Sequence, residues 1–288
     1  MNRSFLAAVA VGAVLAAAAP AGSAPVSPPP AVVEAGSPGA PRQPFRWTGT
    51  IPDGKTLEIK GVKGTIRALP ASGREAEVVA VRRGERYDPE TVKLEVVRHA
   101  DGVTVCAVYP RGRGGRVDAG GEDGAYNRCD PGEWRNLNVR DNDVSVEFTV
   151  RVPAGVRLVA RNVSGDVSAE GLRGYVDARS ISGNVRFTTT AHGEASTVSG
   201  EIFASLGSAR WSGDLDFHTV SGNITLELPA RASTDVKVQT LSGDIRSDFP
   251  LEMERRTARR RAQGTLGEGG RGLSLTTLSG NVSLVRSR

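Results

Sequence analysis

Two cysteines, three histidines and an aromatic content of 5% are sparse for a chain of 288 residues. Two Cys without neighbouring His do not make a zinc module. The histidines, His99, His192 and His218, fall in no H-x-x-x-H pattern, and neither a G-x-S-x-G elbow nor a G-x-x-x-x-G-K-[ST] phosphate loop is present. No catalytic residue, metal site or cofactor is therefore expected. No stretch of useful length repeats its apolar residues every 3.6 positions, which excludes a helical architecture. After the first 21 residues nothing is apolar for long enough to span a bilayer. Charge of one sign is also scarce. Lys and Arg number 37 against 32 Asp and Glu, a net +5 that specifies neither nucleic acid nor membrane as a partner.

What is abundant is glycine, 35 residues, with 16 prolines. The amino terminus reads as a secretory signal. Asn2 and Arg3 precede an uncharged run from Phe5 to Ala19, and Ala19-Pro20-Ala21 supplies a small-x-small cleavage site, so residues 1–21 are expected to be removed. Export makes nucleic acid an unexpected partner and places the protein in the periplasm, at the cell surface or in the medium. Residues 22–44, with Ser27-Pro28-Pro29-Pro30, read as a Pro-rich disordered spacer.

From Phe45 the hydrophobic period is two. Leu57 and Ile59, then Val92, Leu94 and Val96, then Val103, Val105 and Ala107, then Val144, Val146, Phe148 and Val150 alternate with polar neighbours. The fold class is all-β. His99-Ala100-Asp101-Gly102 predicts a hairpin over 92–109.

An apolar-Ser-Gly-polar-apolar motif recurs at Val163–Val167, Ile181–Val185, Val198–Ile202, Val220–Ile224, Leu241–Ile245 and Leu278–Val282, with an earlier relative at Val62–Ile66. Successive motif glycines from Gly165 are 18, 17, 22, 21 and 37 residues apart, a self-similarity that marks stacked repeats. The inward parity changes at each motif: Val236, Val238 and Thr240 are even where Leu241 and Ile245 are odd. Strict alternation along a strand then requires a corner or bulge at each motif entry. This reading puts both motif apolar residues inside. It predicts Val163, Ile181, Val198, Val220 and Leu241 in one interior file. The outer column would carry Asp166, Asn184, Glu201, Asn223, Asp244 and Asn281, acid alternating with amide as a structural ladder. Trp211-Ser212-Gly213-Asp214-Leu215 breaks the spacing and reads as a corner elsewhere on its coil.

Cys106 and Cys129 are expected to pair in an oxidising compartment, closing a loop rich in glycine over 109–128. Residues 248–272 read as an insertion. Its Arg255, Arg256, Arg259, Arg260 and Arg261, on a short helix, would form one basic docking surface. The resulting organisation is a signal at 1–21, a linker at 22–44, an N-terminal β region at 45–150 and a repeat solenoid at 151–288.

The repeated motif, L-E-I-K-G-V-K-G-T-I-R-A from Leu57 and D-V-S-V-E-F-T-V-R-V-P-A-G-V from Asp143 together resemble the bacterial exported "putative adhesin" family of unknown function. The resemblance covers about Leu57 to Leu284. It implies a β-solenoid-like stack of short strands with an N-terminal β-rich cap, outside the cytoplasm. It also implies a non-enzymatic, adhesin-like binding or scaffold role in the cell envelope, the partner being envelope polysaccharide or protein. An envelope-stress signalling module, or a polysaccharide-acting β-helix enzyme, are the alternative expectations.

Overall fold

A computed structural model describes residues 43–110, 128–133, 139, 142–256 and 259–287. The signal and nearly all of the spacer expected over 1–44, and the glycine-rich part of the Cys-bounded loop at 111–127, lie outside the described residues. The N-terminal part contains β1 (Phe45–Thr50), β2 (Thr56–Lys60), β3 (Ile66–Pro70), β4 (Glu75–Arg83), β5 (Lys93–His99), β6 (Gly102–Val108) and β7 (Ser145–Val152). Then follow β8 (Arg157–Ser164), β9 (Val167–Leu172), β10 (Val176–Ser182), β11 (Val185–Thr189), β12 (Gly193–Ser199), β13 (Ile202–Leu206), β14 (Leu215–Ser221) and β15 (Ile224–Leu228). The chain closes with β16 (Thr234–Ser242), β17 (Ile245–Ser247), β18 (Glu252–Arg256), β19 (Arg259–Leu266), β20 (Gly272–Ser279) and β21 (Val282–Arg286). Among the described residues the only helical turn is a 3-10 segment, Pro89–Thr91.

These strands make two sheets. One has the order β18-β19-β16-β20-β14-β12-β10-β8-β2-β6-β5 and the other β1-β4-β7-β3-β9-β11-β13-β15-β21-β17. Each Ser-Gly motif joins a strand of the first sheet to a strand of the second, so one coil is two strands and two turns. Coils pair in parallel, Val176 against Leu158 and Val185 against Val167, for example. This is the β-solenoid-like stack, and both ends change to antiparallel pairing: β5 on β6 and β1 on β4 at one end, β18 on β19 on β16 at the other. The β5–β6 hairpin is the one predicted over 92–109.

The core lies between the sheets. Leu158, Val176, Phe187, Phe217, Leu226, Val238 and Leu275 are fully buried, and Phe187 stacks on Phe217 across the interior with centroids 6.4 Å apart. The early V-K-G-T-I motif forms a coil too: β2 pairs with β8, β3 with β9, and Leu57, Ile59 and Ile66 continue the same core.

The coil order differs from the chain order. β20 pairs with both β14 and β16, and β21 with both β15 and β17, so the last coil is inserted between the two before it. Leu273, Leu275, Val282 and Leu284 of β20–β21 fill that slot, and the Ser-Gly corner that places them is the one its neighbours carry.

The insertion within 248–272 is not a helix. Residues Glu252–Arg256 and Arg259–Leu266 form a hairpin whose second strand covers the edge of β16. Ala262 and Leu266 are buried on β19 while Arg261, Gln263 and Thr265 between and beside them are exposed, the alternation of a strand.

Candidate functional site

The repeated feature of the stack is its corner. The motif glycines Gly165, Gly183, Gly200, Gly222, Gly280 and Gly243 hold φ between 127° and 157°, a region that L side chains rarely adopt. Space excludes a side chain as firmly. A Cβ on Gly222 would lie 1.9 Å from the carbonyl oxygen of Gly200, and on Gly280 2.0 Å from that of Gly222. Each coil therefore rests on the backbone of the one before it.

Residues just before the motif lock this approach from inside. Thr219 Oγ1 donates to Gly200 O at 3.2 Å, Thr197 to Gly183 O at 2.9 Å, Ser180 to Gly165 O at 3.0 Å, Thr277 to Gly222 O at 3.1 Å and Thr240 to Gly280 O at 2.9 Å. Asn162 takes the same place in its coil, and its Nδ2 donates to Gly64 O at 2.7 Å. All six are buried. Sequence reasoning saw the motif and missed this file, although an Asn, Ser or Thr precedes the first apolar residue in all six motifs.

That file moves the parity change. The inward positions run on to the hydroxyl residue, and the chain turns at the glycine, not at the motif entry. The first apolar residue consequently points outward. Ile181, Val198, Leu241 and Leu278 are 42%, 48%, 42% and 50% exposed, and Val163 and Val220 are half-buried. Of the interior file expected of Val163, Ile181, Val198, Val220 and Leu241, only Val163 packs against the core; Ile181, Val198 and Leu241 face outward, because two successive residues, apolar and Ser, both face solvent where the strand bends.

The outer polar column forms a hydrogen-bonded ladder. Asp166 Oδ1 accepts from Asn184 N–H at 2.8 Å, Asn184 Oδ1 from Glu201 N–H at 2.9 Å, and Glu201 Oε1 from Asn223 Nδ2 at 2.9 Å. Asn223 Oδ1 then accepts from Asn281 N–H at 2.9 Å, and Asn281 Oδ1 from Asp244 N–H at 2.8 Å. Strict alternation of acid and amide does not hold, since the inserted last coil brings Asn281 beside Asn223 and leaves Asp244 at the end. No two carboxylates become neighbours, so like-charge contact is still avoided.

Arg260 closes the ladder, pairing with Asp244 and donating to Gly243 O at 2.7 Å. The short helix expected to align the five arginines is replaced by a hairpin, which sets Arg255 opposite Arg260 and Arg256 opposite Arg259. The side chains of Arg255, Arg256 and Arg259 lie outside the described residues.

Two further clusters sit on the outer face of the first sheet. In one, the Arg157 guanidinium lies 4.6 Å from the Tyr175 ring centre, His192 meets Tyr175 edge-on at 5.2 Å, and Arg179 reaches Asp177 at 2.7 Å and Glu194 at 3.6 Å. Burial lowers the His192 pKa, with help from Arg157, and burial raises that of Glu194, with help from Asp177. In the other, Cys106 and Cys129 are joined, with Cα atoms 5.8 Å apart. The adjoining backbone is clasped by buried charges. Lys60 donates to Asp130 O and Glu133 O, Glu58 Oε2 accepts from Gly132 N–H at 3.0 Å, and Arg161 donates to Gly132 O at 2.8 Å. Trp211-Ser212-Gly213-Asp214-Leu215 lies at the turn between β13 and β14, the opposite corner of its coil, with Trp211 packed against the core.

No group of three or more His, Cys, Asp or Glu among the described residues is arranged to hold a metal ion, and none of their helices is long and apolar enough to cross a membrane. Ion-pair and hydrogen-bond geometry of the ladder instead gives a repeated, outward polar row beside a repeated apolar one.

No curated protein matches the chain. Among solved structures it is similar to a "putative cell adhesion protein" from Clostridium sporogenes, at 10% identity and a TM-score of 0.38 over 85% of this chain and 100% of that one. It is also similar to a "putative adhesin" from Bacteroides fragilis, at 10% identity and a TM-score of 0.31 over 85% and 98%. A third, a "putative adhesin" from Parabacteroides merdae, has 10% identity and a TM-score of 0.23 over 84% and 96%. Residues 129–285, which hold all six Ser-Gly corners, match the model of one family, and the chain belongs to it: the Toastrack DUF4097 family.

Proposed function

We propose that this is a non-enzymatic, adhesin-like binding or scaffold protein that works outside the cytoplasm, exported by residues 1–21 and held off by the spacer at 22–44. In this reading residues 45–150 cap the stack, contributing the coil of β2 and β3 to it, and 151–288 present the Ser-Gly corners. The observation that carries the proposal is the multiplication of one corner along the solenoid: the same outward groups recur every ~4.8 Å, the strand spacing, on a flat face suited to an extended partner. A catalytic group is needed once, and nothing in this pattern singles out one coil. The Cys106–Cys129 bond fits an oxidising compartment.

The test is retention of envelope material on the immobilised mature chain. Saturable retention of a polysaccharide or protein, released unaltered, supports the proposal. Turnover of a polysaccharide that is lost in an Asp166→Asn, Asp244→Asn variant would replace it with an enzyme.

A further inference from the structure

The outward apolar file, Val163 at its end packing against the core and the others not, is the feature that neither the core nor the ladder explains. Val163, Ile181, Val198, Val220, Leu278 and Leu241 sit on adjacent strands in that order, one residue per coil. At ~4.8 Å per strand the file is about 24 Å long. Both its flanks carry carboxylates. On one side the ladder presents exposed Asp166, Glu201 and Asp244 three residues on, beyond a row of exposed serines from Ser164 to Ser242. On the other, four residues back along the strands, lie Asp177, Glu194 and exposed Asp216, at roughly 13 Å. Arg179 is engaged with Asp177 and Glu194, Arg161 with Glu58 and Arg260 with Asp244, so the carboxylates left to a partner are Asp166, Glu201 and Asp216, and the exposed Lys237 stands at the Leu241 end of the second flank.

We infer that this file is a docking track for a cationic amphipathic α-helix of a partner protein, one with an apolar stripe bordered by Lys or Arg. A single file exposes on the order of a few hundred Å², well short of the ~800 Å² each partner contributes to an ordinary pairing of two proteins, which argues against a second copy. A helix matches the dimensions. Sixteen residues span about 24 Å, and an ~10 Å cylinder resting on the file holds basic side chains over the carboxylates on each side. An extended segment would instead alternate its side chains toward and away from the face. The inference rests on the scaffold reading and names its partner class.

The probe is a 16-residue Leu/Lys peptide with such a stripe, titrated by fluorescence anisotropy into the mature protein. Its controls are the Leu/Glu peptide of the same pattern and a scrambled Leu/Lys peptide. Binding of the striped Leu/Lys peptide at least 10-fold tighter than either control is expected. Val198→Ser with Leu278→Ser, both at exposed positions, should weaken it at least 10-fold, and Asp216→Asn with Glu201→Gln should weaken it and flatten its salt dependence. Equal binding of the three peptides, indifference to the serine substitutions, or self-association abolished by those substitutions would each overturn the inference. If the serine variant retains envelope material as the parent does, the helix track fails while the scaffold reading stands; if neither retains any, the scaffold reading itself fails.

Discussion

Replacing Gly222 by alanine should damage the stack far more than replacing Gly213. At Gly222 the backbone has φ of 152° and the added Cβ would sit 1.9 Å from Gly200 O and 2.6 Å from its carbonyl carbon. Restoring ordinary contact requires the two coils to part by about 1.5 Å, beyond the reach of a hydrogen bond. The bonds at that junction are Gly200 N–H to Ser221 O at 3.0 Å, Ile202 N–H to Asn223 O at 2.9 Å and Thr219 Oγ1 to Gly200 O at 3.2 Å. Losing two or three of them costs ~1–4 kcal/mol, at roughly 0.5–1.5 kcal/mol each. The forbidden backbone region adds ~1–2 kcal/mol. The sum is about 2–6 kcal/mol. Gly213 has φ of 81° and open space around its would-be Cβ, so Gly213→Ala meets only the backbone term of ~1–2 kcal/mol. Thermal unfolding followed by circular dichroism should show the Gly222 variant lower by roughly 5–15 °C and the Gly213 variant by only a few degrees. Midpoints within about 2 °C of each other would refute the claim that the corner glycines set the coil spacing.

Three further outcomes follow from the same geometry. Thr219→Val keeps the shape but leaves Gly200 O without its donor, and should cost ~1–3 kcal/mol by denaturant titration, whereas Thr219→Ser should recover most of it. Removing the disulfide with Cys106→Ala and Cys129→Ala should cost ~3 kcal/mol for a closure of this size, and amides of 130–133 should exchange faster with deuterium. His192 should titrate below 6.5 by NMR, because burial and then Arg157 disfavour its charged form. Its contribution to stability is complete above about 6.5 and falls away as the pH drops toward the folded-state value, since the unfolded chain takes up the proton first. A His192→Gln variant should lack that part of the acid-side loss.

The architecture was legible because its signals are local. Alternation at Leu57 and Ile59 or at Val144 to Val150 and the recurrence of Ser-Gly mark short strands and corners directly. The position of the bend was harder to read. At Val198-Ser199 two consecutive side chains face outward, a break of alternation that looks in sequence like an apolar residue returning to the core. The order of the coils was not legible at all, because Leu278 to Val282 carries the same motif as its neighbours and nothing in it marks its place. Counting along the chain thus misplaced Asn281 in the ladder. The arginine-rich hairpin failed for another reason. Arg255 to Arg261 offers no apolar period, and Ala262 and Leu266 beyond it, four residues apart, suit one face of a helix as well as one face of a strand.

Strand neighbours in space, rather than in sequence, are what the account ultimately asserts, and engineered disulfides read them directly. Ser221 and Ser279 are register partners at exposed positions, as are Ser279 and Ser242, while Ser221 and Ser242 are separated by the inserted coil. Under mild oxidation, Ser221→Cys with Ser279→Cys should cross-link rapidly and Ser221→Cys with Ser242→Cys should not. Efficient cross-linking of 221 to 242, with 221 to 279 left free, would contradict the stack described.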